Sequence, residues 1–174
     1  SFRVYIRKNL ANVNLFATQP FRDVCNYRIN SLMSYEKELG LYLPETWMNF
    51  YNKIRLLKTQ VVAFIKHAKS EGKTIWAYSA STKGNTFLQY CGLDNTLIDG
   101  IADRNVLKWG LKTVWTNIPI YSEDIFRKAK PDYCLVLAWH FIGNFIEREK
   151  DYLDGGGKFI VSLPKFKIIT KDDL

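Results

Sequence analysis

The stretch KTIWAYSASTKGNTFLQYCG, residues 73–92, decides the fold. Thr74 to Tyr78 is a short apolar run, too short for a helix, which reads as a buried strand. Ser79 to Asn85 carries hydroxyls, a lysine, one glycine and no large apolar side chain, which reads as a loop. Thr86 to Cys91 reads as a short helix stopped by Gly92. A strand, a polar loop and a helix within so few residues form the opening unit of a sheet whose strands run parallel.

Downstream the same grammar repeats. Leu97 to Ala102 reads as a second strand, and Val114 to Ile120, interrupted by Pro119, as a third. Ser122 to Lys128 reads as a helix with Ser122 as its cap and Glu123 and Asp124 in the first turn, where carboxylates oppose the positive end of the helix dipole. Tyr133 to Ala138 is apolar throughout, the mark of a central strand covered on both faces. Phe141 to Leu153 reads as a helix ended by Gly155, Gly156 and Gly157, followed by strands over Lys158 to Leu163 and Lys165 to Thr170. The alternation predicts an α/β fold over residues 73–174: a Rossmann-like, mostly parallel sheet with helices on both faces.

A strand and two helices precede it. In Ser1 to Arg7, Phe2, Val4 and Ile6 alternate with Arg3, Tyr5 and Arg7, a strand pattern that needs a partner and reads, over residues 1–8, as the last strand of a preceding domain. Residues 9–72 read as a helical packing segment. It is irregular from Asn9 to Pro20, helical from Asp23 to Leu39 before Gly40, and helical again from Pro44 to Glu71 before Gly72. On the second helix Trp47, Tyr51, Ile54, Leu57, Val61, Ile65 and Ala68 share a face opposite Asn52, Lys53, Lys58, Lys66 and Lys69, which reads as a core stripe with a solvated basic side.

The bulk composition agrees. With 174 residues, 47% of them apolar and 15% aromatic, the chain is long enough for a real core and too apolar for general disorder. A net charge of +8 suits an anionic partner. The basic residues are spread over amphipathic segments instead of forming one run, so a phosphorylated small ligand fits better than nucleic acid. Cys25, Cys91 and Cys134 are odd in number and contain no C-x-x-C pair, which points away from disulfides and zinc and towards a reducing, cytoplasmic setting. No apolar run reaches membrane-spanning length, and no signal-peptide pattern opens the chain. The KDDL ending resembles an ER-retention tail and, without an entry signal, reads as coincidence.

In a parallel sheet ligands bind beyond the carboxyl ends of the strands, so the residues after each strand are the candidates. After the first come Tyr78, Ser79, Ser81, Lys83, Gly84, Asn85 and Thr86. Small residues let a backbone approach a ligand, while hydroxyls, a lysine and helix-start amides favour an anion. The spacing matches neither the G-x-x-x-x-G-K-[ST] nor the G-x-G-x-x-G phosphate loop, and the same residues serve equally well as an ordinary loop with Thr86 capping the helix. After the second strand come Asp103, placed to meet a sugar hydroxyl, and Arg104 and Lys108, placed to meet phosphate; a surface turn with a salt bridge is the other reading. After the apolar strand come Trp139 and His140. His140 could act as an acid or base, or could simply pack and cap a helix. Ser79 and Ser81 lack the flanking glycines of a nucleophile elbow.

Four motifs in this order carry a resemblance: AYSASTKGNT at 77–86, IADRN at 101–105, PDYCLVLAWHF at 131–141 and GGGKFIVSLP at 155–164. Together they closely resemble the C-terminal domain of S-adenosylmethionine-dependent sugar C-methyltransferases. That family's pattern runs close to Y-G-A-S-x-K-G-N-T, V-D-R, P-D-Y-x-L-x-L-A-W-N-F and G-G-x-F-I-x-P-x-P. The opening SFRVYI resembles the end of the methyltransferase domain that precedes it in the family. Two positions depart: Ser79 stands where the family has Gly, and His140 where it has Asn.

The resemblance implies a fold of three parts, with zinc-binding and methyltransferase regions upstream of this Rossmann-like one. It implies that the parent protein methylates a ring carbon of a nucleotide-linked keto sugar, the carbon being acidified by the neighbouring ketone. S-adenosylmethionine would be bound by the central domain and not by this chain, which is expected to carry no catalytic residue of its own, His140 apart, and no metal. The expected partners are the nucleotide sugar and the upstream methyltransferase domain, with no nucleic acid and no membrane. The rival readings are a free-standing nucleotide-binding or docking domain and an NAD(P)-dependent oxidoreductase. The second is disfavoured by the missing glycine fingerprint.

Overall fold

A computed structural model describes residues 19–173. The expected strand over 1–8 lies outside them. The chain divides into two compact units, residues 1–50 and 51–174.

In the first unit, helix α1 spans Gln19–Glu38, starting four residues earlier than its spacing suggested. Gly40 follows it with φ +65°, a left-handed turn that glycine adopts without steric cost. Helix α2, Pro44–Ser70, begins in this unit and continues into the next. Near its start the Trp47 indole N–H donates to the Leu41 carbonyl at 2.7 Å. The predicted apolar stripe on α2 is buried only in its second half, at Val61, Ile65 and Ala68; Trp47 and Tyr51 are exposed.

The second unit is built on a six-stranded sheet in the order β3-β2-β1-β4-β5-β6. Its strands are β1 (Ile75–Tyr78), β2 (Gly100–Ala102), β3 (Ile120–Tyr121), β4 (Tyr133–Val136), β5 (Lys158–Val161) and β6 (Lys167–Ile169). The first five are parallel and β6 is antiparallel at the edge. The alternation of side chains along each strand sorts the core into two layers. Ile75, Ala77, Ile101, Leu135 and Ile160 face the second half of α2 and helix α3, Thr82–Cys91. Trp76, Tyr78, Cys134, Val136 and Phe159 face helices α4 (Glu123–Ala129), α5 (Ile142–Arg148) and α6 (Lys150–Asp154). Helices thus cover both faces, and β1, fully buried, and β4, buried from Cys134 to Val136, carry the continuous apolar runs seen in the sequence.

Four expectations are corrected. Helix α3 begins at Thr82, not Thr86, and its cap is Ser81, whose hydroxyl accepts from the Gly84 N–H at 3.1 Å. The second strand is confined to Gly100–Ala102, because Leu97 and Ile98 belong to a turn whose N–H groups bond back to Asp94. Val114 to Pro119 is no strand: Trp115 (φ +71°) and Asn117 (φ +53°) reverse the chain there, and only Ile120–Tyr121 pairs with β2. The single helix expected over 141–153 is a 3₁₀ turn at Trp139–Phe141 followed by α5 and α6, broken at Glu149, whose side chain is drawn into the core.

The chain leaves β1 towards β2, and leaves β4 towards β5. These adjacent strands therefore send their following loops apart and open a crevice at their carboxyl ends.

Candidate functional site

At that crevice the backbone turns sharply out of β1. Ser79 has φ +76°, in the left-handed region where a Cβ is strained. This accounts for the glycine that the resembling family has there. The Ser79 N–H stays in the sheet on the Ala102 carbonyl at 2.8 Å, and the Ser81 N–H turns back to the Ser79 carbonyl at 2.9 Å. Helix α3 starts immediately after. Lys83, Gly84 and Asn85 therefore lie in its first turn and not in a loop. Gly84 is needed for contact: a Cβ there would come within 2.8 Å of the Leu137 Cβ, so α3 packs tightly against the end of β4. By helix geometry the N–H groups of Thr82 and Lys83 have no acceptor within the helix and face outwards at its positive end. The Lys83 side chain is exposed and, among the described residues, forms no ion pair. The Thr86 hydroxyl is turned back onto the Thr82 carbonyl at 3.1 Å.

Asp103 and Lys108 hold this loop from the side. Asp103 is 7% exposed. Its Oδ2 accepts from the Ala80 N–H at 2.7 Å and from Lys108 Nζ at 3.1 Å, and its Oδ1 accepts from the Asn105 N–H at 2.8 Å. Lys108 also donates to the Ala80 carbonyl at 2.8 Å. Both side chains are thus engaged with the protein itself. Arg104 is exposed beside them, on the rim of a small cavity of about 100 Å³ shared with Tyr78, Ser79, Glu123 and Arg148.

Tyr78 and Ser81 point to opposite sides of the sheet. The Tyr78 ring is buried, and its hydroxyl donates to Glu149 Oε1 at 2.7 Å. Arg127 grips the same carboxylate with two bonds, Nη2 to Oε1 at 2.6 Å and Nε to Oε2 at 2.9 Å. Burial first, and the bond to Glu149 second, push the Tyr78 phenol well above the ordinary tyrosine range, so it serves as a neutral donor and not as a base. The carboxylate in turn holds the Arg127 guanidinium charged. Reading by motif missed Glu149. The signal was there: with Phe145 and Tyr152 it falls at helical spacing on the apolar side of the 141–153 segment, where a lone acid implies a buried partner.

On the opposite side lies a cavity of about 340 Å³ between α3 and the β2–β3 connection. Its floor is Leu88, Ile101, Ile120 and Leu137; Ser81, Thr82 and Asn85 line the α3 side, and Lys112, Thr113 and Val114 the outer side. The last three were also missed: Val114 read as the start of a strand, and Lys112 and Thr113 lay between the elements read from the sequence. Trp139 and His140 sit in the 3₁₀ turn after β4, Trp139 half-buried and His140 exposed, their rings edge to face with centroids 5.8 Å apart. Neither lines the cavity beside α3. The structure thus gathers Ser81 and Asn85 at one cavity and Tyr78, Ser79, Asp103 and Arg104 at another, with Lys83 and Thr86 on the outside of α3.

Both oxygens of Asp103, the acid at the end of β2 where such a fold would grip a ribose, already accept bonds from the protein. Among the described residues no cluster of three or more His, Cys, Asp or Glu could hold a metal, and no helix is long and apolar enough to cross a membrane.

The chain is similar to a C-methyltransferase of Streptomyces niveus, NovU, with 31% identity over 144 residues, which is 83% of this chain and 34% of that protein. It therefore spans about a third of the length of that relative. A family model described as the C-methyltransferase C-terminal domain matches residues 3–164. A match of that extent, over the strands, loops and cavities described above, places the chain in the C-methyltransferase C-terminal domain family.

Proposed function

We propose that this chain is the substrate-holding domain of an S-adenosylmethionine-dependent enzyme that methylates a carbon of a nucleotide-linked keto sugar, and that the methyl-transfer site belongs to the rest of that enzyme. The observation that carries the reading is the start of α3. Two backbone N–H groups with no acceptor within the helix, at Thr82 and Lys83, lie just beyond the carboxyl end of β1, beside the switch point, and the exposed Lys83 side chain springs from the same turn. Such a helix start attracts a phosphate. Asp103 and Lys108 enter as braces that keep the Ser79–Ser81 turn in place, and Arg104, Trp139 and His140 flank the crevice. In this reading Tyr78, locked as a neutral donor, supplies no base.

The test is a thermal-shift titration of the 174-residue chain with TDP, UDP, GDP, a TDP-hexose, S-adenosylmethionine and NADH. A ligand that binds only the folded state at a hundred times its Kd adds about 2.7 kcal/mol. The expected result is a rise in Tm with a nucleoside diphosphate or its sugar, lost in Lys83→Ala, and no rise with S-adenosylmethionine or NADH. A rise with NADH alone would favour the oxidoreductase; no rise with any nucleotide would remove the reading.

A second reading, protein docking through the helical part, has one observation in its favour: Trp47, Met48, Phe50 and Tyr51 on α2 are all more than half exposed. Loss of self-association or of partner capture in Trp47→Ser would support it.

A further inference from the structure

We infer that the groove beside Trp115 is a binding site for a planar organic cation, a guanidinium, held by the Trp115 ring and the Asp94 carboxylate. The groove holds about 410 Å³, within the range of small-ligand pockets. Gln89 and Gly92 line it at the end of α3, and Asp94, Trp115 and Thr116 complete it. This end of α3 is roughly 10 Å along the helix from the start to which a phosphate was assigned above. The two places are separate, and neither needs the other.

Trp115 stands there against two costs. It is 87% exposed, the most of any large apolar side chain among the described residues. Its φ of +71° is a steric outlier for a bulky residue. Backbone strain of this kind gathers at functional positions. The loop around it is braced. Lys112 and Pro119 pair as an antiparallel bridge. The Thr113 hydroxyl pairs with that of Thr116 at 2.6 Å and accepts from the Ile118 N–H at 2.9 Å. The Asn95 N–H donates to the Thr116 carbonyl at 3.0 Å, and the Gln89 amide to the Val114 carbonyl at 3.1 Å, so both sides of the groove are tied to the loop. A solvated indole on so firm a support contributes little to folding and loses little freedom when a ligand covers it.

Charge selects the ligand. The chain carries +8 overall, yet Asp94 is the one ionisable side chain among the described residues of this groove. Its Oδ1 accepts from the Thr96 hydroxyl at 2.5 Å and from the Thr96 N–H at 2.9 Å. These bonds, the hydroxyl first, hold the carboxyl below the usual carboxylate range, so it is negative at neutral pH. Its Oδ2 accepts no hydrogen bond and it forms no ion pair among the described residues. Gln89 spends its amide nitrogen on Val114 and keeps its Oε1 free. The side-chain oxygens left beside the ring are therefore acceptors. A guanidinium lies flat on an indole and donates within its own plane to such oxygens. An anion would be repelled by Asp94. A lysine ammonium, compact and strongly hydrated, matches the flat ring less well.

The experiment is an NMR titration of the 174-residue chain at low salt, followed at the Trp115 indole N–H and the Gly92 amide. The ligands are a blocked arginine tripeptide, the same tripeptide with citrulline, which keeps the shape and loses the charge, and methylguanidinium. Trp115→Gly removes the ring and suits the positive φ. Asp94→Asn removes the charge and keeps an oxygen for Thr96. The arginine tripeptide is expected to bind about fivefold or more tightly than the citrulline one, and each variant should abolish that preference. Tighter binding of the tripeptide than of methylguanidinium would support a peptide-borne arginine as the source, and the reverse a small free cation. Equal affinity for arginine and citrulline, a preference that survives in either variant, or resonances that no ligand moves would each overturn the site. None of these results bears on the phosphate site at the start of α3.

Discussion

Ser79 is where side-chain chemistry and backbone geometry disagree most openly. Its φ of +76° belongs to glycine, and an L side chain in that region costs about 1–2 kcal/mol. Glycine gives back part of this through the greater freedom of its unfolded chain, about 0.5–1 kcal/mol. Ser79→Gly is therefore expected to stabilise the chain by about 0.5–1 kcal/mol, read as a higher urea midpoint at constant slope. An unchanged or lower midpoint would mean that the serine side chain returns more than the strain removes. The strain at this position is legible in the sequence, because a family that keeps glycine directly after a strand implies a positive φ. Asp103 is legible there only as an acid at a strand end. Its bonds to Asn105 and Lys108, two and five residues away, fit the turn with a salt bridge that the sequence also offers, whereas its bond to the Ala80 N–H spans 23 residues of chain, which no local pattern encodes.

At the scale of elements, helix α3 links the fold to the site, and its packing leaves little room. Gly84→Ala would drive a Cβ to 2.8 Å from the Leu137 Cβ, where neither atom lies at a flexible side-chain end. The expected cost is about 1–3 kcal/mol, as for other overpacked contacts. Because the same shift moves the Thr82 and Lys83 amides, nucleotide affinity should fall along with Tm; a variant that loses stability and keeps full affinity would separate α3 from the site. The sequence pattern revealed the strands and helices of this half but misplaced their ends for physical reasons. Gly84 and Asn85 are poor helix formers, so the first turn of α3 read as loop, although tertiary packing and the Ser81 cap secure it. Val114, Trp115 and Thr116 have strand propensity, yet the reversal at Trp115 and Asn117 takes them out of the sheet and leaves Val114 on the wall of the cavity beside α3. Glu149 interrupts the last helical segment because its carboxylate binds Tyr78 and Arg127.

For the molecule as a whole, the same buried groups set how stability varies with pH. On the alkaline side, Tyr78 and Tyr152 are held above the ordinary tyrosine range, both mainly by burial, and burial pushes the Cys91 thiol up to about 11 and Cys134 higher. Each binds its proton more tightly folded than unfolded. Its contribution is full below the unfolded value, about 8.5 for a cysteine and about 10 for a tyrosine, and is lost as pH rises beyond it. On the acid side the sign reverses. Asp132 is held below the carboxylate range first by the Thr74 N–H, and Asp94 first by the Thr96 hydroxyl. Their contribution is full above about 3.9 and is lost as pH falls through the lower folded values. These aspartates are largely solvated, so the acid limb should be shallow and the alkaline limb, carried by buried groups, steep. Tyr78→Phe separates the parts. It removes one hydrogen bond to Glu149, for a loss of about 1 kcal/mol at neutral pH, and it also removes one ionisable group, so its alkaline limb should be less steep than that of the parent chain. Urea midpoints measured from pH 4 to pH 11 would show this. An alkaline limb of unchanged slope in Tyr78→Phe would mean that this phenol is free to ionise in the folded protein, and the account of Tyr78 as a locked neutral donor beneath the site would fall with it.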